Sequence, residues 1–446
     1  MNKKGLLIAL SVLAISDSIG AQKKWTLEEC IEYALENNIQ LKQNRLTNEQ
    51  NKIDILQSKA QLFPSLSFST NQNVSYRPYS QSTINLTNGT MTNSQSLVTY
   101  NGSYGLNANW TVWNGGRNSK NIKKSEYTAE ISDLQTEQTA NTIQEQIAQI
   151  YVQILYQTEA AAVCEEILKA SQMQRDRAKE MVEVGSLAKV DLAQLEAQTS
   201  QDEYNLVNAR SILENYKLQL KQLLEIVGTN DFDVATPQIN DNSVLAAIPS
   251  KSEVYSSAVA SRPEIQSGKL NIEAQELNID IAKRGYYPTI SLTAGIGTNH
   301  GSGTDIAFGS QIKKNWSNSI GLTLSVPIFD NRQNRTNVQK AKLTKQSSEL
   351  DLQDTQKELY SSIEEYWLNA TTSQQQYIYA KSNVESMQES YDLVSEQFRL
   401  GLKNIVELTT GKNNLLQAEQ QMLQSKYTTL LNIAMLRFYQ GEGIKL

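Results

Sequence analysis

The sequence predicts an α+β membrane protein, internally duplicated, in which each chain gives four strands to a β-barrel shared between copies and most of its remaining length to coiled-coil helices. Three observations carry this. One pattern of residues occurs twice along the chain. Four short segments alternate between apolar and uncharged polar residues. Between them lie segments of more than sixty residues without proline or internal glycine.

The chain opens on Lys3-Lys4, an apolar run Leu6–Ile15 and the small residues Ser18, Gly20 and Ala21. That is the order of a secretory signal peptide, so residues 1–21 are expected to be removed on export. The apolar run is about half of what a spanning helix needs. Cys30 lies beyond it, and the preceding Leu27-Glu28-Glu29 lacks the small residues of a lipidation box. Of the 446 residues 39% are hydrophobic, and the formal net charge is -6. This composition excludes a bundle of membrane-spanning helices, and the acidic balance offers no field for nucleic acid. Two cysteines exclude a disulfide scaffold, and a single histidine argues against metal or triad chemistry built on imidazole.

Ala34 to Phe68 lies on Ala258 to Leu292 without a gap, at an offset of 224 residues, and pairs Pro64 with Pro288. Further on the offset is 216. It pairs Val112-Trp113-Asn114 with Ile328-Phe329-Asp330, Tyr151 with Trp367, and Gly185 with Gly401. The offset changes in a polar stretch, where loops change length at little cost. Two repeats follow, residues 26–228 and 253–446, with a connector 229–252 that contains Pro237 and Pro249.

Each repeat reads helix, strand pair, long helix, break, helix. A continuous helix over Gly116–Glu183 is about 100 Å long at 1.5 Å per residue. Such a helix needs partners along its whole length, as in a coiled coil. Asn334–Leu400 repeats the pattern. Past the first break, Leu206, Ala209, Leu213, Tyr216, Leu220 and Leu223 follow heptad spacing. Elsewhere Gln, Asn and Thr interrupt the seam. Two readings of those positions stay open, solvated faces and the wall of a water-filled lumen.

The strands are predicted near residues 65–76, 98–113, 289–298 and 317–328. In the first, Ser65, Ser67, Ser69, Asn71 and Asn73 oppose Leu66, Phe68 and Val74. In the second, Tyr100, Tyr104, Leu106 and Trp110 oppose Asn101, Ser103, Asn107 and Asn109. The polar face is nearly uncharged, as suits the inside of a hydrated barrel. The apolar face is long enough to span a bilayer when tilted and carries aromatics, so it is expected to meet outer-membrane lipid. Four strands cannot close a barrel, and open edges are not tolerated in lipid. Two chains would supply eight strands and three would supply twelve. Only twelve leaves room for a pore, so a transport role implies a homotrimer. The polar stretches Ser80–Ser96 and Asn299–Asn315 are expected to be exposed loop tips, the second holding His300.

These features in this order resemble the TolC-type outer-membrane efflux proteins over essentially the whole mature chain. The resemblance rests on Pro64 and Pro288 at the helix-to-strand turns. It rests equally on the strand exits Trp110-Thr111-Val112-Trp113-Asn114-Gly115-Gly116-Arg117 and Val326-Pro327-Ile328-Phe329-Asp330, and on the breaks Val184-Gly185-Ser186-Leu187 and Leu400-Gly401-Leu402-Lys403. It implies a trimeric 12-stranded barrel continuous with a periplasmic tunnel of 12 helices, partnered by a periplasmic adaptor and an inner-membrane transporter. It makes the breaks the tips of helical hairpins. Val184, Gly185, Ser186, Leu400, Gly401 and Leu402 are then the adaptor contacts. The family's closed gate maps to Phe398 and Lys403 against Val190 and Asp191. Both hydroxyls of that gate are absent here, which leaves an Asp191–Lys403 ion pair. The family's constriction maps to Glu407 and Thr410, of which only Glu407 keeps a carboxylate.

The pairs Glu165-Glu166 and Glu364-Glu365 read as helix surface charge. No phosphate-binding, nucleophile-elbow or zinc-protease motif occurs, and no cofactor or metal is expected. The expected role is a passive outer-membrane exit duct for efflux, not an enzyme. Type I protein secretion through the same duct is a second transport reading. A trimeric coiled-coil adhesin and a soluble periplasmic scaffold are readings of other classes.

Overall fold

The computed structural model describes residues 24–78, 83–87, 90–94, 98–228 and 232–446. The expected signal peptide 1–21 lies outside them. Among the described residues no helix is long and apolar enough to cross a membrane. The chain forms two compact units, and each draws on both sequence repeats.

One unit comprises Gln43–Glu137 and Pro263–Lys357. The chain begins with β1 (Lys24–Trp25), α1 (Leu27–Asn37) and α2 (Ile39–Ala60), and most of α2 belongs to this unit. After Pro64 come β2 (Ser65–Tyr76), a small hairpin of β3 (Thr83–Thr87) and β4 (Thr90–Ser94), and β5 (Val98–Trp113). The second repeat supplies α7 (Pro263–Lys283), a 3-10 turn Arg284–Tyr286, β7 (Thr289–Gly301), α8 (Phe308–Lys314) and β8 (Ser317–Ser325). The four long strands form one antiparallel sheet in the order β2-β5-β7-β8. Its register keeps like with like. Ser67 faces Asn107 and Asn71 faces Ser103 on one surface, while Phe68, Leu106 and Ile296 share a row on the other. Because side chains alternate with period two, a slip of one residue would exchange the faces of a strand. On this sheet Leu66, Phe68, Ile320, Leu322 and Leu324 are all exposed.

Three sequence expectations are corrected here. The stretch Ser80–Ser96 is not a plain loop, because β3 and β4 pair within it. The strand predicted to end near 298 runs on to Gly301, and the one predicted to end near 328 stops at Ser325, ahead of Pro327, which has no N–H to donate. His300 is therefore not a loop residue. It lies in β7 opposite Gly102, buried, with its ring 5.1 Å from Tyr100, 5.9 Å from Tyr104 and 4.7 Å from Phe308. The cause is α8, which folds back onto β7. Thr298 Oγ1 donates to the Ile312 carbonyl at 2.6 Å, and Gln311 Oε1 accepts from the Gly301 N–H at 2.8 Å.

The other unit comprises the described residues of Met1–Lys42, with Gln138–Arg262 and Glu358–Leu446. Its helices are α1, α4 (Lys189–Leu223), α6 (Lys251–Ser261) and α10 (Ile405–Tyr439), with the larger parts of α3 (Arg117–Glu183) and α9 (Gln333–Arg399). Its core is a seam of Ile147, Tyr151, Ile154 and Leu155 from α3, Leu220 from α4, Ile363 from α9, and Met435 and Leu436 from α10. The heptad positions Leu206, Ala209 and Leu220 are buried as that spacing requires. The connector is ordered where it is described. There β6 (Asp233–Val234) pairs in parallel with β1, and Tyr151 Oη donates to the Ala235 carbonyl at 2.6 Å. Beyond β6, α5 (Asp241–Val244) is tied to α9 by Tyr377 Oη on Asp241 at 2.7 Å and by Gln374 Nε2 on the Val244 carbonyl at 2.9 Å. Cys30 and Cys164 are both buried and not joined in a disulfide.

Candidate functional site: the two helix turns

The ends of α3 and α9 are built alike. Gly185 has φ 77° and Gly401 has φ 76°, a conformation open to glycine and strained for other residues. The Ser186 N–H donates to the Met181 carbonyl at 2.8 Å and the Gly185 N–H to Val182 at 3.0 Å. At the second turn the Leu402 N–H donates to Gln397 at 2.9 Å and the Gly401 N–H to Phe398 at 2.9 Å. These are two Schellman ends, which satisfy carbonyls that the helix leaves unpaired. Val184, Leu400 and Leu402 are exposed around them, as are Val190 and Val406 in the first turns that follow.

The starts of the next helices differ. At α10, Asn404 and Glu407 form a capping box. Asn404 Oδ1 accepts from the Glu407 N–H at 2.9 Å, and Glu407 Oε2 accepts from the Asn404 N–H at 3.2 Å. The Lys403 ammonium also donates to Glu407. The ammonium, followed by the Asn404 N–H, holds the Glu407 carboxyl below its ordinary range. At α4 the equivalent places are Ala188 and Asp191, and no side chain caps the helix. The structure therefore joins two residues expected at separate sites, Lys403 at a gate and Glu407 at a constriction. Asp191 has the sequence position of Glu407 in the other repeat, and the Lys403 ammonium sits on Glu407 rather than on it. Thr410 spends its hydroxyl on the Val406 carbonyl at 2.7 Å.

Apolar packing links the two turns. Ala178 of α3, Leu195 of α4 and Ile405 of α10 form a buried cluster, against which Leu187, Leu192 and Phe398 pack. Phe398 also packs on Tyr391, Leu408 and Leu415. Further along the same helices lies a buried polar cluster. Lys412 of α10 donates to Asp202 of α4 and to Ser171 Oγ of α3 at 2.8 Å, and Ser171 Oγ donates to Asp202 at 2.6 Å. Burial, working against the neighbouring carboxylate, pulls the Lys412 ammonium below its ordinary pKa. Among the described residues no group of three or more His, Cys, Asp or Glu could hold a metal ion.

The outer membrane efflux protein family matches residues 30–225 and 254–442, most of each repeat. The chain belongs to that family. It is 23% identical over 359 residues to the outer membrane efflux protein BepC of Brucella suis biovar 1, covering 80% of this chain and 75% of BepC. It is 23% identical over 359 residues to the outer membrane protein TolC of Escherichia coli, covering 74% and 72%. The crystal structure of the CmeC outer membrane channel of Campylobacter jejuni superposes with a TM-score of 0.76 at 20% identity, over 94% of this chain and 86% of CmeC. This outer membrane efflux protein is accordingly an outer-membrane channel subunit, and the sheet with two open edges is its share of the barrel.

Proposed function

We propose that this outer membrane efflux protein assembles as a homotrimer and serves as a passive exit duct. Small molecules enter from a periplasmic adaptor and an inner-membrane transporter and leave to the exterior. The observation that carries this reading is the four-stranded sheet. It alternates apolar and uncharged polar faces, and its two edges find no partner among the described residues of one chain. Three copies would close twelve strands around water. The chemistry is that of a conduit, with the energy supplied by the inner-membrane partner. Trimer mass in detergent together with single-channel conductance in a lipid bilayer tests the reading, and a monomer without conductance overturns it.

The same reading places the gate at the helix turns. The closed state is held by the cluster around Ile405 and Phe398, with Lys403 and Asp191 as the charged groups at its rim and Val190 beside them. Glu407 would form a carboxylate ring with Thr410 one helical turn further on, favouring cations at the narrowest point. The exposed Val184, Leu400 and Leu402, with Gly185, Ser186 and Gly401, form the surface offered to the adaptor. Opening is a hinge or shear movement between two packed states. Raised conductance is expected for Lys403→Ala and Asp191→Ala, and unchanged conductance in both overturns the gate assignment.

A further inference from the structure

Within the helical unit, α9 and α10 border a groove of about 660 Å³. Gln376, Tyr379 and Asn383 line it from α9, and Gln421, Gln424 and Thr428 from α10. Each set follows the spacing i, i+3, i+7, which puts its three side chains on one face of its helix. The volume falls in the range of about 300–1,000 Å³ common to small-molecule sites. The chemistry departs from the apolar lining of such sites, and every lining residue is uncharged. The cations next to the lining are taken elsewhere. Lys381 donates to Asp241 of α5, and Lys426 donates to Glu159 of α3 at 3.0 Å.

Four carboxamides therefore face one space, and none of these four amide side chains is hydrogen-bonded to another described residue. A carboxamide both donates and accepts, as a hydroxyl does. An apolar ligand seated here would strip water from the amides and return no hydrogen bond, which is unfavourable. An ionic ligand would find no counter-charge. A neutral ligand dense in hydroxyls meets both conditions. Tyr379, 72% exposed, adds a flat apolar ring with a polar tip, on which the C–H face of a sugar ring can stack.

The groove also lies on a particular side of α9. Gln374, Tyr377 and Lys381 hold α5 of the connector. At about 100° per residue, their face is centred about 160° from that of Gln376, Tyr379 and Asn383. The duct reading requires the connector to stay out of the path. The groove, on the opposite side of α9, then faces the water inside.

We propose that this groove is a transit subsite for a neutral oligosaccharide. Tyr379 carries one sugar ring, and Gln376, Asn383, Gln421 and Gln424 hydrogen-bond the hydroxyls. The proposal rests on the duct reading and names a class of solute for it.

Chitotetraose, an uncharged oligosaccharide, tests it on the full-length protein, purified in a detergent without a sugar headgroup and reconstituted in a lipid bilayer. Added chitotetraose is expected to interrupt the single-channel current reversibly. In Gln376→Leu combined with Gln424→Leu, the mean length of an interruption should fall by about tenfold, because lost hydrogen bonds act mainly on the rate of leaving. Tyr379→Ala should shorten it by about threefold or more, and Tyr379→Phe, which keeps the ring, by less than about twofold. Native conductance and trimer mass in each variant report that it folds. An open channel that chitotetraose never interrupts overturns the proposal and leaves the duct reading standing. Interruptions of native length in both the double variant and Tyr379→Ala overturn the site. Interruptions by tetraphenylphosphonium, an apolar cation, that the double variant shortens equally overturn the ligand class. A native protein without conductance overturns the duct reading and the proposal together, so the two failures are distinguishable.

Discussion

Removing the Lys412 ammonium should destabilise the helical unit far more than removing the ion pair as a whole. Lys412 and Asp202 are both buried, and together with Ser171 they tie α10, α4 and α3. Lys412→Met leaves the Asp202 carboxylate buried without its cation, and breaking a buried pair this way costs about 3–5 kcal/mol. Asp202 keeps hydrogen bonds from Ser171 at 2.6 Å and Gln198 at 3.0 Å, which places the cost toward the lower end. At roughly 2–4 °C per kcal/mol for a unit of this size, the unfolding midpoint falls by about 6–12 °C. The double change Lys412→Met with Asp202→Leu removes both charges, and such replacements are often neutral or stabilising by about 1–4 kcal/mol. Thermal unfolding of the full chain in detergent, followed by far-ultraviolet circular dichroism, measures Lys412→Met, Asp202→Leu and the double variant against the native protein. A double variant as unstable as the two single losses added together would refute the reasoning, because it would mean the groups do not interact. A Lys412→Met midpoint within about 2 °C of native would refute it equally.

Two further outcomes follow from the helix turns. Asn404→Ala should cost about 1 kcal/mol at the start of α10, and Ala188→Asn should recover up to about the same at α4. Hydrogen exchange of the first-turn amides reads both, faster at α10 in the former and slower at α4 in the latter. The folded Glu407 carboxyl titrates below its unfolded range, so its contribution is fully present above the unfolded value and is lost as pH falls through the folded one. Exchange at the first turn of α10, corrected for intrinsic pH dependence, should therefore rise below about pH 4, and the rise should be absent in Glu407→Gln.

How much of this was legible in the residues follows from the range of the forces involved. The alternation Ser65-Leu66-Ser67-Phe68 is local, and β2 begins at Ser65 as it requires. The turns at Gly185 and Gly401 are local too, since a helix end needs a left-handed residue whatever surrounds it. The capping box at Asn404 and Glu407 was also within reach, as an Asn-x-x-Glu pattern opening a helix. The resemblance to the family gives Glu407 a constriction role instead, which hides its part in the cap. The burial of His300 was not legible, since it depends on α8 folding back over β7 and a Gly- and Asn-rich stretch gives no sign of that. Nor was the Lys412–Asp202 pair, whose members stand 210 residues apart on helices whose charges otherwise read as solvated faces. Only the mutual rotation of packed helices selects which charges turn inward.

Duplication explains why the geometry of the two repeats agrees where their chemistry does not. The backbone solutions are shared: one hairpin register, the Schellman ends at Gly185 and Gly401, and the left-handed residue pairs Gly115-Gly116 and Asn331-Arg332. A single chain sets the repeats side by side, so each repeat meets the other once inside the chain, and on the homotrimer reading once more across copies. Residues at those two kinds of junction are released from being identical. Gly115 became the close-packed partner of Tyr287, whereas Asn331 and Arg332 hold the same turn against strain that glycine would avoid, on the side of the sheet that a second copy would cover. At the helix turns, Leu187, Ala188 and Asp191 stand where Lys403, Asn404 and Glu407 stand. One turn packs Leu187 into the apolar cluster, and the other commits its three residues to a cap and an ion pair. Substitutions that make one repeat copy the other at these positions should therefore change how the junctions and turns behave while leaving the fold of each repeat intact.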